Sequence, residues 1–194
     1  MIELDAAALE TGRLIAENDV QKYEFKPLLN AYLAAISNPP AKSLAEVIAS
    51  GKFHKPSLQF LLSAEGFANG QEEPEYKERL ARNQRTRQIL ISTFTEHRLD
   101  ALVYPLQKRL VVPLNEPNQA DRNGILASVT GFPAITVPAG FSTPTATAPL
   151  GVPVGMDILG RPWSEGRLIE LAHGFEQVLR IRKPPSSAPA LRGQ

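Results

Sequence analysis

Thr130-Gly-Phe-Pro-Ala-Ile-Thr-Val-Pro-Ala-Gly-Phe141 holds an apolar, β-type run from Ala134 to Val137 between two glycines, Gly131 and Gly140. A second such run, Val154-Gly-Met-Asp-Ile-Leu159, lies in Gly151-Val-Pro-Val-Gly-Met-Asp-Ile-Leu-Gly-Arg161, where Gly151 and Pro153 impose a turn before it. Between the two runs, Phe141 to Leu150 is rich in Thr, Pro and Ala and reads as a flexible loop. The pattern predicts two neighbouring strands joined by an excursion. The apolar character of the first run predicts an interior strand covered by helices.

Upstream, Ala101-Leu-Val-Tyr104 is a short apolar run stopped by Pro105, as in a buried strand. Residues 105–120 read as an irregular loop, and Asn123 to Val129 as a helix. Downstream, Ser164 is placed to cap a helix whose apolar side carries Leu168, Ile169, Leu171, Ala172, Phe175 and Leu179. The Pro/Ser/Ala-rich residues 184–194 are expected to be a disordered tail. The other half of the chain is helical in pattern. Leu4, Ala8 and Leu9 open a short segment, and Tyr23 to Ile36 carries apolar residues at helical spacing. Ser43-Leu-Ala-Glu46 is a capping box for a helix through Ala49 closed by Gly51. Ser57 to Ala68 and a long stretch from Pro74 to about His97 complete the series. The organisation expected is one domain over 1–183, helical over 1–97 and α/β over 98–183.

The 194 residues are 43% hydrophobic and 21% charged, which suits one domain with a buried core. A net charge of +1 gives no electrostatic reason to expect nucleic acid or an anionic membrane as partner. The absence of cysteine removes disulfides, thiolate catalysis and Cys-based metal sites, and fits a reducing compartment. His54, His97 and His173 have no partners at metal-ligand spacing, so no metal and no cofactor is expected. MIELDAAALE lacks the basic start and apolar core of a secretory signal, and apolar runs are too short to span a bilayer, so a cytoplasmic location is expected. There is no Gly-x-Ser-x-Gly elbow, Ser-x-x-Lys pair, P-loop or dinucleotide fingerprint. Glu65, Asp100 and Asp157 lack partners at a telling spacing and read as caps or surface charges.

Asp100-Ala-Leu-Val-Tyr-Pro105, the Thr130–Phe141 and Gly151–Arg161 stretches, Ser164-Glu165 and Glu176-Gln177, in this order, resemble the C-terminal part of the amidase signature family. Those enzymes are serine hydrolases that cleave carboxylic amides, and they include subunits of amidotransferases. Tyr23-Glu-Phe-Lys26, Leu29-Asn-Ala-Tyr-Leu33 and Ser43–Glu46 extend the likeness over about residues 20–183. The resemblance implies an α/β fold, a mixed β-sheet flanked by helices with a helical N-terminal half. It implies that the Thr130–Phe141 segment lines a wall of the acyl pocket, with Ala134 and Val137 facing the pocket and Thr130 and Gly131 near its mouth. Leu106 stands where many relatives have threonine after Tyr-Pro.

The family's chemistry rests on a lysine, a serine with a cis peptide, and a nucleophilic serine in a Gly/Ser-rich stretch, all preceding the matched region. This chain has no Gly-Gly pair, and its one Ser-Ser pair is Ser186-Ser187, so no catalytic residue is assigned within it. The resemblance therefore implies a C-terminal fragment, inactive alone, that would take a small-molecule amide only if completed by the missing half. The alternative is a non-catalytic amidase-like binding or interaction protein. Strands deprived of neighbours lead to an expectation of self-association.

Overall fold

A computed structural model describes residues 1–4, 7–113, 116, 119 and 122–183; the expected tail at 184–194 lies outside them. The chain divides into two compact units, Met1–Ile89 and Leu90–Gln194.

In the first unit, a 3-10 turn at Ala7–Leu9 leads into α1 (Thr11–Asn18). This helix was not anticipated from the sequence. It is capped by Glu10, whose carboxylate accepts from the amides of Gly12 at 2.9 Å and Arg13 at 2.6 Å, a role more often filled by Ser, Thr, Asp or Asn. Helix α2 (Gln21–Ala34) contains Pro27, which has no N–H to offer the Tyr23 carbonyl one turn back. Gly70 uses that gap, lying so close to the Tyr23 backbone that any Cβ would collide with it.

Helix α3 (Leu44–Ser50) starts as expected at Ser43, whose hydroxyl accepts from the Glu46 amide at 3.2 Å. The reciprocal bond falls one residue early: Glu46 accepts from the Lys42 amide at 2.8 Å instead of that of Ser43. Helix α4 (Leu58–Glu65) buries Leu61 and Ala64 against Leu44, with Phe25 and Leu29 of α2 packed alongside. Lys26 ties α2 to the end of α4, reaching the carbonyls of Glu65 and Phe67 and the Glu65 carboxylate, all at 3.0 Å. Helix α5 (Pro74–Glu96) is held to α1 by the buried Asn18, which donates to Asn83 at 2.8 Å and Thr86 at 3.3 Å.

The second unit is built on three antiparallel strands, β1 (Ala101–Pro105), β2 (Ala134–Phe141) and β3 (Pro153–Gly160), in the order β1-β3-β2. The expected pair joined by an excursion is β2 with β3. The expected interior position of β2 is corrected: among the described residues it is an outer strand, and β3 lies between its two neighbours. Helix α6 (Ile125–Thr130) precedes β2, and α7 (Glu165–Leu179) follows β3. Side chains alternate between the faces of each strand. One face carries Ile135, Val137, Met156 and Ile158, packed against Leu168 and Ala172 of α7.

Ser164 precedes α7 but does not cap it through its side chain, because its hydroxyl donates to the Arg161 carbonyl at 2.7 Å. Arg161, just beyond β3, donates to the carbonyls of Phe94 at 2.6 Å and Leu99 at 3.2 Å, and its guanidinium lies over the Phe94 ring. The last turn of α5 has carbonyls without intrahelical partners. Arg161 supplies donors and positive charge where the helix needs both. No helix among the described residues is long and apolar enough to cross a membrane.

Candidate functional site

The sheet face away from α7 carries Tyr104, Asp157 and Thr136 abreast, one residue from each strand, since Tyr104 and Thr136 both pair with Asp157 in the register. The bond from the Gly160 amide to the Pro133 carbonyl sets the alternation in the β2–β3 pair, making Thr136 and Asp157 a non-hydrogen-bonded pair. Side chains approach most closely at such pairs. Thr136 Oγ1 accordingly donates to Asp157 Oδ1 at 2.6 Å.

Asp157 is only 5% exposed, and Thr136 is its sole side-chain hydrogen-bond partner among the described residues; no cation pairs with it there. The expectation that Asp157 is a cap or a surface charge is corrected: it is a buried carboxylate in the central strand. The available signal was its position between Met156 and Ile158 in an apolar run. The Tyr104 hydroxyl is buried with no hydrogen-bond partner among the described residues. Burial first, and the Asp157 charge second, push its ionisation far above the ordinary tyrosine range, so it stays neutral.

Asp100 fits its reading as a surface charge, whereas Glu65 is corrected: it is half-buried, with its Oε2 buried and lacking a hydrogen-bond partner among the described residues. Glu65 pairs with Lys26, and Asp100 is exposed, 3.7 Å from Arg167.

The four residues expected to line a pocket fall into two groups. Thr130 and Gly131 form the turn between α6 and β2. Thr130 is buried and donates to the Leu126 carbonyl at 2.6 Å, and Gly131 closes the helix with φ 68°, a left-handed value that favours glycine. Ala134, at the start of β2, is exposed on the face of Thr136 and Asp157. Val137 is buried on the opposite face with Ile158, Leu168 and Ala172. Ala134 and Val137 therefore do not look onto one pocket: with side chains alternating along a strand, residues three apart project to opposite sides.

A helical unit followed by a small antiparallel sheet backed by a C-terminal helix defines an α/β protein whose strands carry a polar row on one face. The Amidase family model matches residues 20–169, and the chain belongs to that family. It is 34% identical to a probable amidase of Arabidopsis thaliana over 169 residues, 84% of this chain and 29% of the relative. It is 30% identical to a glutamyl-tRNA(Gln) amidotransferase subunit of Oryza sativa subsp. indica over 141 residues, 68% of this chain and 25% of the relative.

Among solved structures, the native peptide amidase from Stenotrophomonas maltophilia superposes with a TM-score of 0.69 at 29% identity, covering 90% of this chain and 35% of that one. An amidase family protein from Bacillus anthracis gives 0.66 at 25% identity, covering 95% and 32%. The chain thus spans about a quarter to a third of the length of these relatives.

Proposed function

We propose that these residues form the part of an amide-hydrolysing serine enzyme that builds one wall of its substrate pocket, and that on their own they do not hydrolyse amides. The observation carrying this reading is the family match over residues 20–169 in a chain with no Gly/Ser-rich stretch of Gly-Gly-Ser-Ser type. Cleavage of a carboxylic amide needs a nucleophile beside a base and donors for the developing oxyanion. Neither half of that requirement is met by the candidates here. Thr136 is an exposed residue, but its hydroxyl donates to Asp157, the carboxylate it is paired with, which is held as a hydrogen-bond acceptor. Tyr104 is neutral and buried.

What the chain offers instead is the turn at Thr130 and Gly131 leading into a strand on which Ala134 and Thr136 are exposed. In this reading, substrate-binding contacts come from that side of β2, while Val137 supports it from beneath. The test is an ammonia-release assay on the purified chain with aliphatic and aromatic primary amides, run alone and as a fusion to a family segment bearing the lysine and Gly/Ser-rich serines. No turnover alone and measurable turnover in the fusion are expected. Turnover by the chain alone overturns the reading.

The buried Asp157 and the Thr136 hydroxyl it orients favour a second reading, a non-catalytic protein that binds amides. It predicts binding by the chain alone and no gain of turnover in the fusion.

A further inference from the structure

We infer that the free edge of β2 pairs with a second copy of itself: two chains join antiparallel about a two-fold axis at Ile135, giving one continuous sheet in the order β1-β3-β2-β2-β3-β1. The contact uses the edge of β2 rather than either face, so it is independent of the pocket-wall reading.

The register fixes which groups the edge offers. Ile135 and Val137 are the hydrogen-bonded partners of Ile158 and Met156, continuing the alternation set by the Gly160 amide and the Pro133 carbonyl. The N–H and C=O groups of Ala134 and Thr136 therefore point outward, and among the described residues no hydrogen bond reaches them. Pro138, the next outward residue, has no N–H, and a bulge follows between Pro138 and Gly140. The usable edge runs from Ala134 to Thr136.

That edge is complementary to itself. With Ile135 on the axis, Ala134 of each copy faces Thr136 of the other as a hydrogen-bonded pair, and every outward donor of these residues meets an acceptor. An axis at Thr136 would set the Ala134 carbonyl against the donorless Pro138, which is why Ile135 is the better centre. There the two Ile135 side chains form a non-hydrogen-bonded pair, the closest approach antiparallel strands allow. Ile135 is only partly buried on the α7 face, so the pairing covers apolar surface that one copy leaves open. Ala134 and Thr136, on the opposite face, are small enough to stand beside each other.

Sheet edges are commonly protected from such pairing by charge. No charged residue stands between Arg122 and Asp157, so β2 brings no like charge against its copy. The edge of β1 is blunted instead: the exposed Asp100 precedes it, and the carbonyl of Pro105 at its end is taken by Asn123 Nδ2 at 2.8 Å. One usable edge per copy closes the assembly as a two-fold dimer and not an open fibre.

The chain has no cysteine, so Ile135→Cys places a single thiol on the axis. Cα atoms of a non-hydrogen-bonded pair lie about 4.5 Å apart, within disulfide reach. Mild oxidation should convert Ile135→Cys to a covalent dimer and leave Val103→Cys, on β1, monomeric in denaturing electrophoresis. For the wild-type full chain, sedimentation at micromolar concentration should show a dimer, and hydrogen exchange at the Ala134 and Thr136 amides, read by NMR, should slow as concentration rises. Ala134→Pro removes one outward donor without touching the bonds to β3 and should abolish the dimer, whereas Ala134→Ser should keep it. A wild-type chain that stays monomeric, an open-ended series of larger species, or a dimer whose two amides exchange at a concentration-independent rate overturns the inference. Cross-linking of Val103→Cys in preference to Ile135→Cys does the same. The wild-type measurements need no variant to fold.

Discussion

At the scale of single residues, the buried polar row shows how one side chain sets the behaviour of another. The Tyr104 hydroxyl is buried without a partner among the described residues, which costs free energy relative to its hydration in the unfolded chain. Tyr104→Phe should therefore leave stability unchanged or raise it by up to about 1 kcal/mol, measured by urea denaturation; a loss of about that size would mean that the hydroxyl is satisfied. A different carboxylate, Glu75 in the first unit, supplies a pH dependence. The Tyr23 hydroxyl leans on it without a well-formed hydrogen bond, and Arg79 makes the firmer contact at 2.6 Å. Together they hold its pKa at about 2 against an ordinary 4.5. Because the folded value is the lower one, the stabilisation is fully present above pH 4.5 and is lost as pH falls toward 2. Glu75 is exposed, so the effect is modest and screened by salt. Thermal melts from about pH 5 to about pH 2 should show Glu75→Gln with a shallower decline than wild type; parallel declines would remove Glu75 from the account. In the sequence Asp157 is marked only by its place in an apolar run, and Glu75 is one of 20 acidic residues with nothing to set it apart; the register and the packing give each its partners.

At the scale of elements, most of the helices and all three strands could be read from periodicity, glycines and prolines, because those signals act locally. The misreadings arose where a distant segment decides. Helix α1 begins at an unusual cap, and Ser164 turns its hydroxyl to Arg161 instead of to its own helix. The outer position of β2 depends on which strands the chain brings beside it, which its own apolar residues do not encode. Arg161 joins the end of β3 to the end of α5 through two carbonyls and an aromatic ring. Arg161→Ala should destabilise the second unit by about 2 kcal/mol, with the denaturation midpoint as readout, and Arg161→Lys should recover only part of this because it lacks the planar fork. A midpoint unmoved by Arg161→Ala would show that the clamp contributes nothing. In the first unit, Gly70→Ala forces a Cβ into the Tyr23 backbone where Pro27 has left the α2 carbonyl free. A loss of about 1–3 kcal/mol is expected, and a fully tolerated alanine would contradict the close approach.

At the scale of the molecule, family membership was legible in the order of several short motifs, none of which names a reaction by its own physics. The three strands leave β1 and β2 each with one edge unpaired among the described residues, and Val103 on β1 is 47% exposed. Edges of this kind favour pairing with other chains, so sedimentation of the purified chain at micromolar concentration should show species larger than a monomer. A single monomeric boundary would contradict that expectation. The central claim is that these 194 residues carry an amidase wall without the amidase nucleophile. Its most direct test is labelling of the purified chain with a serine-reactive fluorophosphonate, read by intact-protein mass spectrometry. No adduct is expected under conditions that label a serine hydrolase control, and stoichiometric modification of a single serine would contradict the claim.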